Sequence, residues 1–162
     1  YNLRCVDALC IPNRCLGCVE GLACNPDTGE CGPSCQSPGD CGPGLTCVKG
    51  GACVENIAPW AAARVQAGGG LHSALDVQLG DPITLDASAS LDGNGDPLNY
   101  IWTLNGAPPG SAYLAGADLG SAPTWTFTPD IAGHWFFGLW VTDAAGGVSF
   151  QDQAVVYVWS PL

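Results

Sequence analysis

The chain has 162 residues, with ten cysteines and no methionine, and its 15 acidic side chains against four basic ones give a formal net charge of −11. So few lysines and arginines cannot form the cluster that phosphate contacts need, which argues against nucleic acid and anionic membrane surfaces as partners. No apolar run approaches the roughly 20 residues of a spanning helix, so membrane insertion is not expected.

The cysteines come first. Cys5, Cys10, Cys15, Cys18, Cys24, Cys31, Cys35, Cys41, Cys47 and Cys53 all precede residue 54, and all six tryptophans follow it. A segment of about fifty residues buries too little apolar surface to offset its chain entropy and needs covalent staples. The even count points to disulfides, an oxidising compartment and a secreted, extracellular or cell-surface protein. Zinc is disfavoured, because only Cys15-Leu-Gly-Cys18 has close spacing and no histidine precedes His72. With no methionine and no signal-peptide pattern, the chain reads as a mature secreted product whose leader lies outside this numbering.

Within this segment Cys18-Val-Glu-Gly-Leu-Ala-Cys24, followed by Cys31, parallels Cys41-Gly-Pro-Gly-Leu-Thr-Cys47, followed by Cys53. Each unit reads as a small hairpin, with turn residues in Asn25-Pro-Asp-Thr-Gly29 and Lys49-Gly-Gly51. Cys35 joins the second unit, and Cys5, Cys10 and Cys15 lead into the first. The pairing stays open, since five bridges allow on the order of a thousand connectivities. The boundary falls just before Pro59, so we expect a disulfide-stapled module over 1–55 and a second domain over 56–162.

The second segment reads as β throughout. Ile83-Thr-Leu-Asp-Ala87 alternates, Asp92-Gly-Asn-Gly-Asp-Pro97 is a turn, and Tyr100-Ile-Trp-Thr-Leu104 alternates again before Asn105-Gly106 breaks the run. Trp125-Thr-Phe-Thr128 stops at Pro129-Asp130, Trp135–Val141 is a long strand ended by Asp143-Ala-Ala-Gly-Gly147, and Val155-Val-Tyr-Val-Trp159 follows. No helical period of useful length occurs. About seven strands at this spacing predict an all-β fold, a sandwich of about a hundred residues.

Several motifs then fall in a known order. Leu85-Asp-Ala-Ser-Ala-Ser90, Asp92-Gly-Asn-Gly-Asp-Pro-Leu98 and Tyr100-Ile-Trp102 resemble the front half of a PKD (polycystic kidney disease) domain, and Asn56-Ile-Ala-Pro59 resembles its usual opening. Phe127-Thr-Pro-Asp-Ile-Ala-Gly133 and Leu139-Trp-Val-Thr-Asp-Ala-Ala-Gly146 resemble the back half. The resemblance spans about 56–160. It implies an immunoglobulin-like sandwich in an extracellular protein, acting as a spacer or an adhesive and binding module. One departure is Trp102-Thr-Leu-Asn-Gly106, where many members carry Trp-Asp-Phe-Gly-Asp-Gly.

No catalytic signature accompanies this fold. His72 and His134 are the only histidines, neither sits in a nucleophile or metal motif, and the protein is read as a non-enzyme. No cofactor is expected apart from a calcium candidate at Asp92, Asn94 and Asp96. These oxygens alternate as in the first half of a calcium loop, but Thr103 stands where the bidentate Glu would fall. The competing reading is a turn whose side chains cap their own backbone.

Alternation also predicts a surface. With Trp135, Phe137, Leu139 and Val141 inward, Phe136 and Trp140 face out; by the same logic Ile101, Tyr157 and Trp159 face out from neighbouring strands. A one-residue slip on the last strand would turn Tyr157 and Trp159 inward. Monomeric proteins seldom leave such a patch in water. Two functions follow. The first is a structural or adhesive protein that assembles into surface layers or filaments through copies of itself or another surface protein. The second is an accessory module that attaches a secreted protein to polysaccharide.

Overall fold

The computed structural model describes residues 3–6, 9–12, 22–24, 31–48 and 51–161. The expected turn at Asn25–Gly29 and Cys15 and Cys18 lie outside the described residues. Two compact units result: one takes Tyr1–Ile57 with Asn94–Asp96 and Ala144–Gly147, the other Ala58–Gly93, Pro97–Asp143 and Val148–Leu162.

The first unit is a set of two-stranded ribbons. β1 (Leu3–Val6) pairs antiparallel with β2 (Leu9–Pro12), β3 (Leu22–Cys24) with β4 (Cys31–Pro33), and β5 (Leu45–Val48) with β6 (Ala52–Glu55). The repeat is visible in the register: Cys24 stands opposite Cys31, and Cys47 opposite Cys53. Facing cysteines of the second hairpin do not bond each other. Cys35 bonds Cys47 and Cys41 bonds Cys53, two interlaced loops of 12 residues each. Cys24 and Cys31 are likewise disulfide-bonded. Gly51 takes φ +80° where the second hairpin turns, a conformation other residues adopt only with strain. Asp40 caps the 3-10 turn Pro38–Asp40, accepting backbone hydrogen bonds from Gln36 and Ser37, which hold its carboxyl below the usual range.

The second unit is the expected sandwich. One sheet has the order β13 (Thr124–Phe127), β10 (Ile83–Asp86), β7 (Arg64–Ala67), β8 (Gly70–His72). The other runs β12 (Asp118–Gly120), β11 (Leu98–Gly106), β14 (Gly133–Asp143), β15 (Asp152–Trp159), β9 (Ala74–Gln78), with β9 parallel to β15. The alternation is readable only from Ile83 onward and not in β7, β8, β9 or β12, which are short and carry glycine or polar residues that blur it.

The core forms where the inward faces meet. Trp102, Trp135, Phe137, Leu139, Val141, Val156 and Val158 are fully buried against Val65, Ile83, Leu85 and Phe127. Buried indoles need a hydrogen-bond acceptor, and both find one: Trp102 Nε1 donates to Ala122 O and Trp135 Nε1 to Ile131 O, each at 3.2 Å. The motif residues serve the fold. Asp86 accepts from Ser88 N and from Gln66 Nε2, and Ser90 Oγ accepts from Ala62 N at 3.0 Å. Burial pushes the Asp86 carboxyl up, but the hydrogen bonds from Ser88 and Gln66 outweigh it and the group lies below its ordinary value. Asp130 accepts from Ala112 N and Ser111 Oγ, pinning the loop before β12, and these bonds lower its carboxyl too.

One expected break is absent. β11 continues through Asn105-Gly106, with a register shift between Leu104 and Gly106. The residues expected to end the strand insert a β-bulge instead, which keeps the pairing while adding Asn105.

Candidate functional site

β11, β14 and β15 are adjacent in one sheet, and the register places all five predicted residues on its outer face. Ile101 pairs with Trp140, Phe136 with Val155, and His134 with Tyr157. Ile101, Trp140, Tyr157 and Trp159 are exposed and Phe136 is half-buried, whereas Val156 and Val158 point into the core. The last strand is therefore not slipped. Phe136 keeps its partial cover by lying across Gly106, where a Cβ would meet its ring at 2.9 Å. His134 packs its ring 4.8 Å from Tyr157 and 6.3 Å from Phe136, so this end of the face is a ring cluster.

The five residues do not form one unbroken strip. Between the Ile101–Trp140 pair and the ring cluster lies Gly138, a buried glycine in the middle of β14, paired with Thr103 on one side and Gln153 on the other. Two amides occupy the space a side chain would fill: a Cβ on Gly138 would stand 2.6 Å from Asn105 Nδ2 and 2.6 Å from Gln151 Nε2. They are linked, since Asn105 Nδ2 donates to Gln151 Oε1 at 3.0 Å and Thr103 Oγ1 donates to Asn105 Oδ1 at 2.9 Å. Gln151 Nε2 reaches Thr103 Oγ1 at 3.4 Å. The outer face is thus aromatic, then amide, then aromatic. These three polar residues carry no alternation signal of their own. Their signal is Gly138 itself, since a glycine inside an otherwise bulky strand marks a close approach.

A second group of exposed aromatics lies beside the amides. Trp60, 73% exposed, and Phe150, 95% exposed, flank a cleft of about 140 Å³ whose other lining residues are Pro59, Ala61, Gln151 and Asp152. Trp60 is held by reciprocal backbone hydrogen bonds with Leu91 at 2.7 and 3.1 Å. Phe150 follows Ser149, whose buried Oγ accepts from Val141 N and whose N donates to Val141 O, both at 2.9 Å. Asp152 accepts from Ala63 N and Arg64 NH1, each at 2.9 Å and both on Oδ2.

Two of the three calcium candidates, Asn94 and Asp96, make hydrogen bonds within the first unit, whereas Asp92 belongs to the second. Asp96 accepts the hydroxyl of the fully buried Thr46 at 2.6 Å. Asn94 accepts from Ile57 N at 2.7 Å and donates to Glu55 O at 3.2 Å. The two histidines stand on different sheets, and His134 has aromatic rings as neighbours. Among the described residues no helix is long and apolar enough to cross a membrane.

No protein-family model matches the chain, and no curated protein matches it. Solved structures similar to it include PKD domains and other β-sandwich modules. One is the PKD1 domain of Vibrio anguillarum Epp, at 20% identity over 66% of this chain and 100% of that one, TM-score 0.46. Another comes from work on carbohydrate-binding modules of the β-sandwich superfamily, at 24% identity over 66% of this chain and 36% of that one, TM-score 0.49. A third is a nucleoside hydrolase-related hypothetical protein from Saccharophagus degradans associated with carbohydrate metabolism, at 24% identity, 65% and 26% coverage and TM-score 0.47. The chain spans well under two thirds of these last two.

Proposed function

We propose that the protein is a non-catalytic extracellular module that attaches to a neutral polysaccharide through the outer face of the five-stranded sheet. The observation that carries this reading is the amide group over Gly138, set between the Ile101–Trp140 pair and the Phe136–His134–Tyr157 cluster. Sugar rings present apolar C–H faces, which carry partial positive charge and suit the negative face of an aromatic ring. Their hydroxyls both donate and accept, and uncharged amides match them because each offers a carbonyl oxygen and two N–H groups. A few polar groups among aromatic anchors are the usual composition of a small-molecule site. The net charge of −11 favours a neutral polymer over an acidic one. Disulfide-bonded cysteines support an oxidising, extracellular setting.

The test is co-sedimentation with insoluble glucans, chitin and mannan, together with affinity electrophoresis in soluble ones. Wild type should bind at least one polymer, and Trp140→Ser and Tyr157→Ala should each weaken that binding without loss of fold. Light scattering on the same samples reads the assembly alternative. A concentration-dependent oligomer that Trp140→Ser dissolves, with no polymer bound, would replace the polysaccharide reading by self-association.

A further inference from the structure

We infer that the cleft between Trp60 and Phe150 is a subsite for a single neutral pyranose ring of the polymer held on the sheet face. It rests on the polysaccharide reading and extends it to residues outside that face. Three observations carry it. The first is size: about 140 Å³ is too small for a cofactor and close to the volume of cavities that take one six-membered ring. The second is the lining. Trp60 and Phe150 are both largely exposed, while the remaining lining offers the Gln151 amide and the Asp152 carboxylate.

The third is fixed presentation. Exposed aromatics are costly to order when a ligand arrives, but here the backbone is already held. Trp60 is pinned to Leu91 by two hydrogen bonds, and the Phe150 segment is pinned to Val141 through Ser149. Asp152 is oriented by Ala63 N and Arg64, both bonding Oδ2, so Oδ1 has no protein donor among the described residues. A carboxylate oxygen accepts strongly from sugar hydroxyls. Arg64 offsets this carboxylate's charge, so the preference for a neutral sugar over a uronic acid comes from the chain's net charge of −11. Gln151 joins the cleft to the face, because it lines the first and hydrogen-bonds Asn105 on the second. Gln151 is thus the residue past which a chain lying across Gly138 would continue into the cleft.

The experiment uses the whole oxidised chain labelled with 5-fluorotryptophan, whose six tryptophans give separate fluorine signals. Trp60→Phe, Trp140→Phe and Trp159→Phe assign the three that matter. Hexasaccharides of β-1,4-glucose, β-1,4-N-acetylglucosamine and β-1,4-mannose are titrated to millimolar concentration. Saturable movement of the Trp60 signal together with Trp140 or Trp159 is the expected result. Phe150→Ala should then weaken binding roughly threefold to tenfold, the loss of one aromatic contact, with an unchanged melting temperature. Movement of Trp140 and Trp159 with Trp60 still would overturn the subsite and leave the face intact. Movement of Trp60 alone would overturn the face and, with it, the cleft as a subsite of a face-bound polymer. Silence at all three positions would overturn both.

Discussion

Gly138→Ala separates the roles of packing and binding. The backbone there is ordinary strand, so alanine fits the conformation and recovers about 0.5–1 kcal/mol of the entropy that glycine loses on folding. Its Cβ would occupy a point 2.6 Å from both Asn105 Nδ2 and Gln151 Nε2. Those atoms end exposed, flexible side chains that can swing into solvent, at the cost of surface hydrogen bonds worth about 1 kcal/mol together. The two terms nearly cancel. The melting temperature should stay within about 4 °C of wild type. Binding should fall much further, because two amide contacts are withdrawn at about 0.5–1.5 kcal/mol each, which corresponds to roughly 5- to 150-fold in affinity. Differential scanning calorimetry and affinity electrophoresis read the two quantities separately. A variant that binds as tightly as wild type would refute the role given to the amides. A drop of more than about 10 °C would refute the claim that they are free to move.

Other perturbations test other parts of the chain. Gly133→Ala should destabilise by more than about 2 kcal/mol, because Gly133 has φ +138° and its Cβ would meet the Pro108 ring at 2.7 and 2.9 Å, a neighbour that cannot swing away; chemical denaturation would show it, and a wild-type midpoint would contradict the contact. Replacing Cys35 and Cys47 together by serine should cost about 3 kcal/mol from the freed 12-residue loop, measurable as faster proteolysis before residue 58. Acid should destabilise the sandwich. Asp86 has a lowered folded value, so its contribution is fully present above the unfolded carboxylate value near 3.9 and is lost as pH falls through the folded value. Urea midpoints at pH 5, 3 and 2 should therefore decline, and decline less in Asp86→Asn, where an equal decline would remove Asp86 from the account.

Much of the fold is legible in the residues because its signals are local. Alternation along Trp135–Val141 assigns each side chain to core or solvent with no knowledge of its neighbours, since successive strand residues point to opposite faces. The hairpin register of Cys47 and Cys53 follows from a repeat and a glycine turn. The bulge at Asn105 is indistinguishable from a strand end in the sequence, because Asn-Gly carries the same local preference in a turn and in a bulge.

What only the tertiary structure decides is which distant residues share a site. Asn105 meets Gln151 across 46 residues, and Pro59–Ala61 meets Phe150–Asp152 across about ninety. Disulfide partners belong to the same class: the facing pair Cys47 and Cys53 invites a bond, yet each bonds a cysteine 12 residues earlier. A side chain's face is a property of its own backbone, but its companions are set by strand order and loop closure. The outward aromatics could therefore be read from the sequence, while the amides between them and the cleft beside them could not.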